Sequence, residues 1–77
     1  MKVNILLFGQ LTDITGADSF IIEDTIDTDS LVISLQKNYP ALSNARYLIA
    51  VDKKVIETNT LLPDNCIVAL LPPFSGG

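Results

Sequence analysis

The chain has 77 residues, of which 48% are hydrophobic, 18% charged and 6% aromatic, enough for one small domain and too short for two. Five Lys plus Arg against nine Asp plus Glu leave a net charge of -4, which argues against binding nucleic acid by counterion release and against docking on an anionic membrane. With one cysteine, Cys66, and no histidine, the chain cannot build an internal disulfide, a Cys/His zinc cluster, or a Ser-His or Cys-His catalytic pair.

Lys2 to Phe8 is rich in branched apolar side chains, with Val3, Ile5 and Leu7 at period two, and it ends at Gly9; this pattern predicts a first strand. The apolar run is too short to cross a membrane and lacks a small-residue cleavage site, so a cytoplasmic protein is expected. Gly9 to Asp18 mixes Thr, Asp and Gly and reads as a loop. Ser19 to Glu23 then reads as a second strand returning beside the first.

Acids and hydroxyls crowd Asp24 to Ser30, where Asp27, Thr28 and Asp29 are each able to cap a helix beginning near Ser30. Thr28, Leu31, Val32, Leu35 and Tyr39 fall on one helical face, Ile33 lies off it, and Pro40 stops the helix. Arg46 to Val51 predicts a third strand, Asp52-Lys53-Lys54 a turn, Val55 and Ile56 a short fourth strand, and Leu62 to Asn65 another turn, with Asn65 suited to a left-handed backbone. Cys66 to Leu71 is continuously apolar, the pattern of a central strand buried on both faces, and Pro72-Pro73 ends it.

The resulting order, β-β-α-β-β-β, predicts an α+β fold in a single domain spanning 1-77 with a flexible C-terminal tail over 72-77. One helix covers only one face of a sheet. The other face is expected to carry Leu6 and Phe8 from the first strand and Tyr47, Ile49 and Val51 from the third, too apolar a set for water alone, and so to form a docking surface.

The chain as given ends Leu71-Pro72-Pro73-Phe74-Ser75-Gly76-Gly77. Glycines lack Cβ, so such a backbone can pass a narrow channel and let another enzyme's atoms approach the carboxylate, while the prolines project the tail from the sheet. An ordinary frayed end is the plain alternative.

The whole tail, following an apolar strand, resembles that of the molybdopterin synthase small subunits, which are ubiquitin-like sulfur carriers. Phe8-Gly9 through Gly16, Tyr39-Pro40, Ala50-Val51 with Asp52, and Asp64-Asn65 with Val68-Ala69 extend the resemblance over nearly the whole chain. Thr12 stands where that family commonly has a basic residue, Asn65 where it has glycine, Cys66-Ile67 where it has acids and Phe74 where it has valine.

The resemblance implies a ubiquitin-like β-grasp fold, a mixed sheet of about five strands packed on one main helix. It implies that an adenylyltransferase akin to the ubiquitin-activating enzymes uses ATP to join AMP to the Gly77 carboxylate, and that a sulfur donor enzyme then converts it to a thiocarboxylate. That group would enter the large subunit of molybdopterin synthase and give sulfur to cyclic pyranopterin monophosphate. The catalytic residues would belong to the partner; this chain would have no tightly bound cofactor and no metal, and would supply Gly77 as the reacting group. Pro72, Pro73, Phe74, Ser75, Gly76, Phe8 and Ile49 are the expected partner contacts.

A sulfur carrier of the thiamine pathway shares the fold and the Gly-Gly end but usually lacks the paired prolines. A ubiquitin-like protein modifier shares the first chemical step. A plain binding module with incidental glycines is the remaining alternative. Cys66, at the start of an apolar strand, reads as a buried unreactive thiol rather than a sulfur carrier. Arg46, Lys53 and Lys54 read as a solvated basic turn.

Overall fold

A computed structural model describes residues 2-73. Along the chain it contains β1 (Lys2–Leu7), α1 (Leu11–Thr15), β2 (Ser19–Glu23), α2 (Thr28–Asn38), a 3-10 turn (Pro40–Asn44), β3 (Leu48–Val51), β4 (Lys54–Ile56) and β5 (Cys66–Leu71). The five strands form one sheet in the order β2-β1-β5-β3-β4. β1 and β5 are parallel, and the remaining pairings are antiparallel. A hairpin, a helix, and a last strand inserted at the centre beside the first make up the β-grasp arrangement. No helix among the described residues is long and apolar enough to cross a membrane.

Period-two alternation sets the core. Val3, Ile5 and Leu7 from β1 and Cys66, Val68 and Leu70 from β5 point to the helix side, where they meet Leu31 and Leu35 of α2, with Leu11, Leu42, Val51 and Leu62 closing the margins. α2 starts at Thr28, two residues before the expected start. Asp27 is the cap: its backbone is extended (φ -147°, ψ 172°) and its carboxylate accepts from the Ser30 N–H at 2.9 Å. Thr28, Leu31 and Leu35 are its buried face, and Ile33 lies in solvent.

Gly9 to Asp18 is more ordered than a loop. Leu11–Thr15 forms a short helix that buries Leu11 and ends on Gly16, whose left-handed backbone (φ 74°) directs its N–H to the Thr12 carbonyl at 2.8 Å. The β3–β4 connection has two central residues, Asp52 and Lys53, both at positive φ (48° and 73°), as a tight hairpin turn matched to strand twist requires. Asn65 takes the expected left-handed backbone (φ 64°).

β5 is central but is not buried on both faces. Its side chains alternate, and Ile67 is 45% exposed, because no described element lies over the outer side of the sheet. The third strand begins at Leu48, so Arg46 and Tyr47 precede it.

Candidate functional site

The uncovered side of the sheet carries a contiguous apolar surface. Strand register places Leu6 beside Ala69, Ala69 beside Ala50 and Ala50 beside Val55, a row that runs across β1, β5, β3 and β4. Phe8, Ile67 and Leu71 stand around it. The two alanines form a low floor between larger side chains, and the result is a groove of about 410 Å³ with Asp52 and Lys53 at its rim. Asp52 is fixed in place: its carboxylate accepts from the Ile67 N–H at 2.9 Å and its own N–H donates to the Ile67 carbonyl at 2.8 Å.

Phe8 and Leu6 lie on this face as expected. Tyr47, Ile49 and Val51 do not. Ile49 pairs with Leu70 and Val51 with Val68, both inward-facing residues of β5, so the register sends this parity of β3 toward the helix, where Ile49 packs on the core. Leu48 and Ala50 hold the outward positions instead. Val55, Ile67, Ala69 and Leu71 belong to the same face; the signal for them was the register between β3 and β5, which sequence periodicity does not reveal.

β5 delivers the C-terminal segment to one edge of this groove. Leu71 lines it, Pro72 is half-buried and Pro73 is exposed. Pro72 rests against Gly9, at the end of β1. Phe74, Ser75, Gly76 and Gly77, which carry the expected chemistry, lie outside the described residues.

Cys66 is buried on the helix side of β5. Burial pushes its thiol above the ordinary range, and the nearby charge of Asp52 acts in the same direction, so it is poorly placed to act as a nucleophile. Among the described residues, no group of three or more His, Cys, Asp or Glu side chains is placed to hold a metal ion, and every buried polar side-chain atom has a hydrogen-bond partner. The surface is therefore suited to docking an apolar partner face beside an emerging chain end.

Comparison with known proteins agrees with this geometry. The sequence profile of the ThiS family matches residues 5–77. A molybdopterin synthase sulfur carrier subunit from Mycobacterium tuberculosis is 33% identical over 82 aligned positions, covering 100% of this chain and 99% of its own length. The solved complex of subunits 1 and 2 of the molybdopterin-converting factor from Helicobacter pylori contains a chain that superposes with a TM-score of 0.76 at 29% identity, each chain covered completely. Small archaeal modifier protein 1 from Methanosarcina acetivorans superposes with a TM-score of 0.83 at 24% identity, over 99% of this chain and 96% of its own; that likeness speaks to the fold.

Proposed function

The chain belongs to the ThiS family, and from that premise we propose that it is the sulfur-carrier subunit of a molybdopterin synthase, with the Gly77 carboxylate as its reacting group. The observation that carries the reading is the match, over essentially full length on both sides, to a relative named for that role. The apolar groove beside the root of the tail supports it, since a carrier without catalytic groups has to be held by the enzymes that act on its end.

A carboxylate is a poor electrophile until one oxygen departs on a good leaving group. In the proposed sequence the Gly77 carboxylate attacks the α-phosphorus of ATP on an adenylyltransferase, releasing pyrophosphate and forming an acyl adenylate. Sulfur at the sulfide level, handed over by a donor enzyme, attacks the acyl carbon and displaces AMP, which leaves a thiocarboxylate with no change of oxidation state. On the large subunit of the synthase that sulfur passes to cyclic pyranopterin monophosphate, water returns the carboxylate, and a second loaded carrier supplies the second sulfur of the dithiolene. The outer sheet face would dock on these partners in the cytoplasm, and Gly76-Gly77 would thread to their reacting atoms.

The test is the intact mass of the protein isolated from its own cells, with fragmentation to localise any change. Replacement of one oxygen by sulfur at Gly77, followed by conversion of the pyranopterin when the large subunit is added, is the expected result. A lysine-linked adduct would reassign the chain as a protein modifier. A thiocarboxylate that serves only thiazole formation would reassign it to the thiamine pathway.

A further inference from the structure

Gly9 sits where β1 gives way to α1 and where β5 runs out. The Phe8 N–H donates to the Leu70 carbonyl at 3.3 Å, which carries the pairing beyond Leu7 and Leu70 in the same register and sets Gly9 opposite Pro72. Gly9 has φ +59°, and a Cβ there would stand 2.9 Å from Cγ of Pro72 and 3.8 Å from its Cβ and Cδ. The obstacle belongs to a closed ring whose backbone φ is fixed, so a side chain at position 9 forces the ring to change pucker or Pro72 to shift.

The turn that carries Gly9 is anchored. Its carbonyl accepts from the Thr12 N–H at 3.2 Å and from the Thr12 hydroxyl at 2.9 Å. The Phe8 carbonyl accepts from the N–H of Leu11 at 3.2 Å, and Leu11 is buried in the core. Gly9 is thus a fixed wall and Pro72 the element that would yield. An error of direction at Pro72 grows along any chain that follows, and Pro73, with its own ring, does not absorb it.

We infer that Gly9, backed by the Thr12 hydroxyl, is a positioning residue: it seats Pro72 and so sets the direction in which the C-terminal segment leaves the sheet beside the docking groove. The inference rests on the sulfur-carrier reading, in which partners that hold the outer face receive the terminal carboxylate in register for reaction. Docking and delivery are then separable. Docking depends on the groove, delivery on the Gly9 seat.

The experiment uses the full chain, ATP and the adenylyltransferase, and reads pyrophosphate release against carrier concentration, with thermal unfolding to confirm that each variant is folded. Gly9→Ala is expected to lower kcat by roughly ten- to a hundredfold, the scale of an ångström misplacement of a reacting group, with KM near that of the wild type. In a Pro72→Ala background, where the ring atoms in the way are gone, the same Gly9→Ala change is expected to cost little in kcat, while the strain of a side chain at φ +59° lowers the thermal midpoint in both backgrounds. Wild-type kcat in Gly9→Ala, a defect confined to KM, or an equal cost in both backgrounds would overturn the inference. If Gly9→Ala does not fold, Thr12 decides: a fall in kcat for Thr12→Val that Thr12→Ser restores supports the seat, and no fall overturns it. A wild-type chain that takes no adenylate overturns the sulfur-carrier reading, and this inference with it; an adenylated wild type with an unaffected Gly9→Ala overturns this inference alone.

Discussion

The Asn59 carboxamide completes the cap of a helix that begins some thirty residues earlier, donating through Nδ2 to Oδ2 of Asp27 at 3.2 Å. Its Oδ1 accepts from the Asp29 N–H at 2.9 Å and from the Thr28 hydroxyl at 3.2 Å, so one side chain ties the loop before β5 to the first turn of α2. Ser30, donating to the other carboxylate oxygen, and then Asn59 hold the Asp27 carboxyl below its ordinary value of 3.8. The folded state therefore favours the charged form. The stabilisation is present above the ordinary carboxylate range and is lost as pH falls through the lowered folded value. Asp27→Ala is expected to lower the thermal midpoint at neutral pH and to lower it by less in strong acid, where the protonated carboxyl keeps only a neutral cap hydrogen bond, measured by thermal unfolding of both proteins at the two pH values. A midpoint difference that is undiminished in acid would refute the charge argument.

Leu35 is fully buried where α2 meets the sheet. Leu35→Ala removes its side chain from a close-packed site and is expected to destabilise the fold by about 2 to 5 kcal/mol, the range of core cavity substitutions. Denaturant unfolding measures it. A cost well under 1 kcal/mol would mean that α2 is not the lid of the core.

Much of the architecture is legible in the sequence because its signals are local. β1, β2 and β5 are branched apolar runs closed by Gly9, Asp24 and the prolines. The buried face of α2 follows from the spacing of Thr28, Leu31 and Leu35. β3 differs: from Tyr47 to Val51 every residue is apolar or nearly so, both parities fit an inward face, and only pairing with β5 decides between them. α1 is too short to show a period, with Leu11 as its one buried residue. Asn59 carries no local signal at all, since its partners are brought to it only by the fold. The chemistry proposed for the tail draws on Gly76-Gly77 and Pro72-Pro73, which are read directly from the sequence, while the approach of Pro72 to Gly9 required the strands to be aligned.

The register of β3 separates two residues that sequence periodicity places on one face. Phe8 lies outward and is 44% exposed, so Phe8→Ser is expected to leave stability within about 0.5 kcal/mol and to weaken binding to the synthase large subunit by tenfold or more, about 1.4 kcal/mol or above. Ile49 faces the core, and Ile49→Ala is expected to do the reverse, costing about 1 to 3 kcal/mol in stability with little direct effect on binding. Denaturant unfolding and titration calorimetry of both variants check the pair. Equal binding losses would restore Ile49 to the interface.

Cys66 tests whether burial governs its chemistry. With the thiol raised above its ordinary range by desolvation, the thiolate that reacts with alkylating agents is scarce at neutral pH. Iodoacetamide labelling of the native protein is expected to be slow and to accelerate sharply in denaturant, followed by mass spectrometry over time. Fast labelling of the folded chain would bring Cys66 back as a candidate sulfur carrier.

Deletion of Gly77 separates fold from function most directly. Among the described residues, the buried hydrophobic side chains lie within Val3 to Leu70, and glycine has no side chain to remove from them, so the thermal midpoint is expected to stay where it is. The reacting carboxylate, by contrast, would move back by one residue, about 3.5 Å along an extended chain, far more than the displacement that already costs a well-aligned reaction about a hundredfold. Adenylation and sulfur transfer are therefore expected to fall below detection in a folded protein that still binds the large subunit through its outer face. Retained transfer, or a deletion that unfolds the domain, would end the account in which Gly77 is a reacting group that the core does not need for its stability.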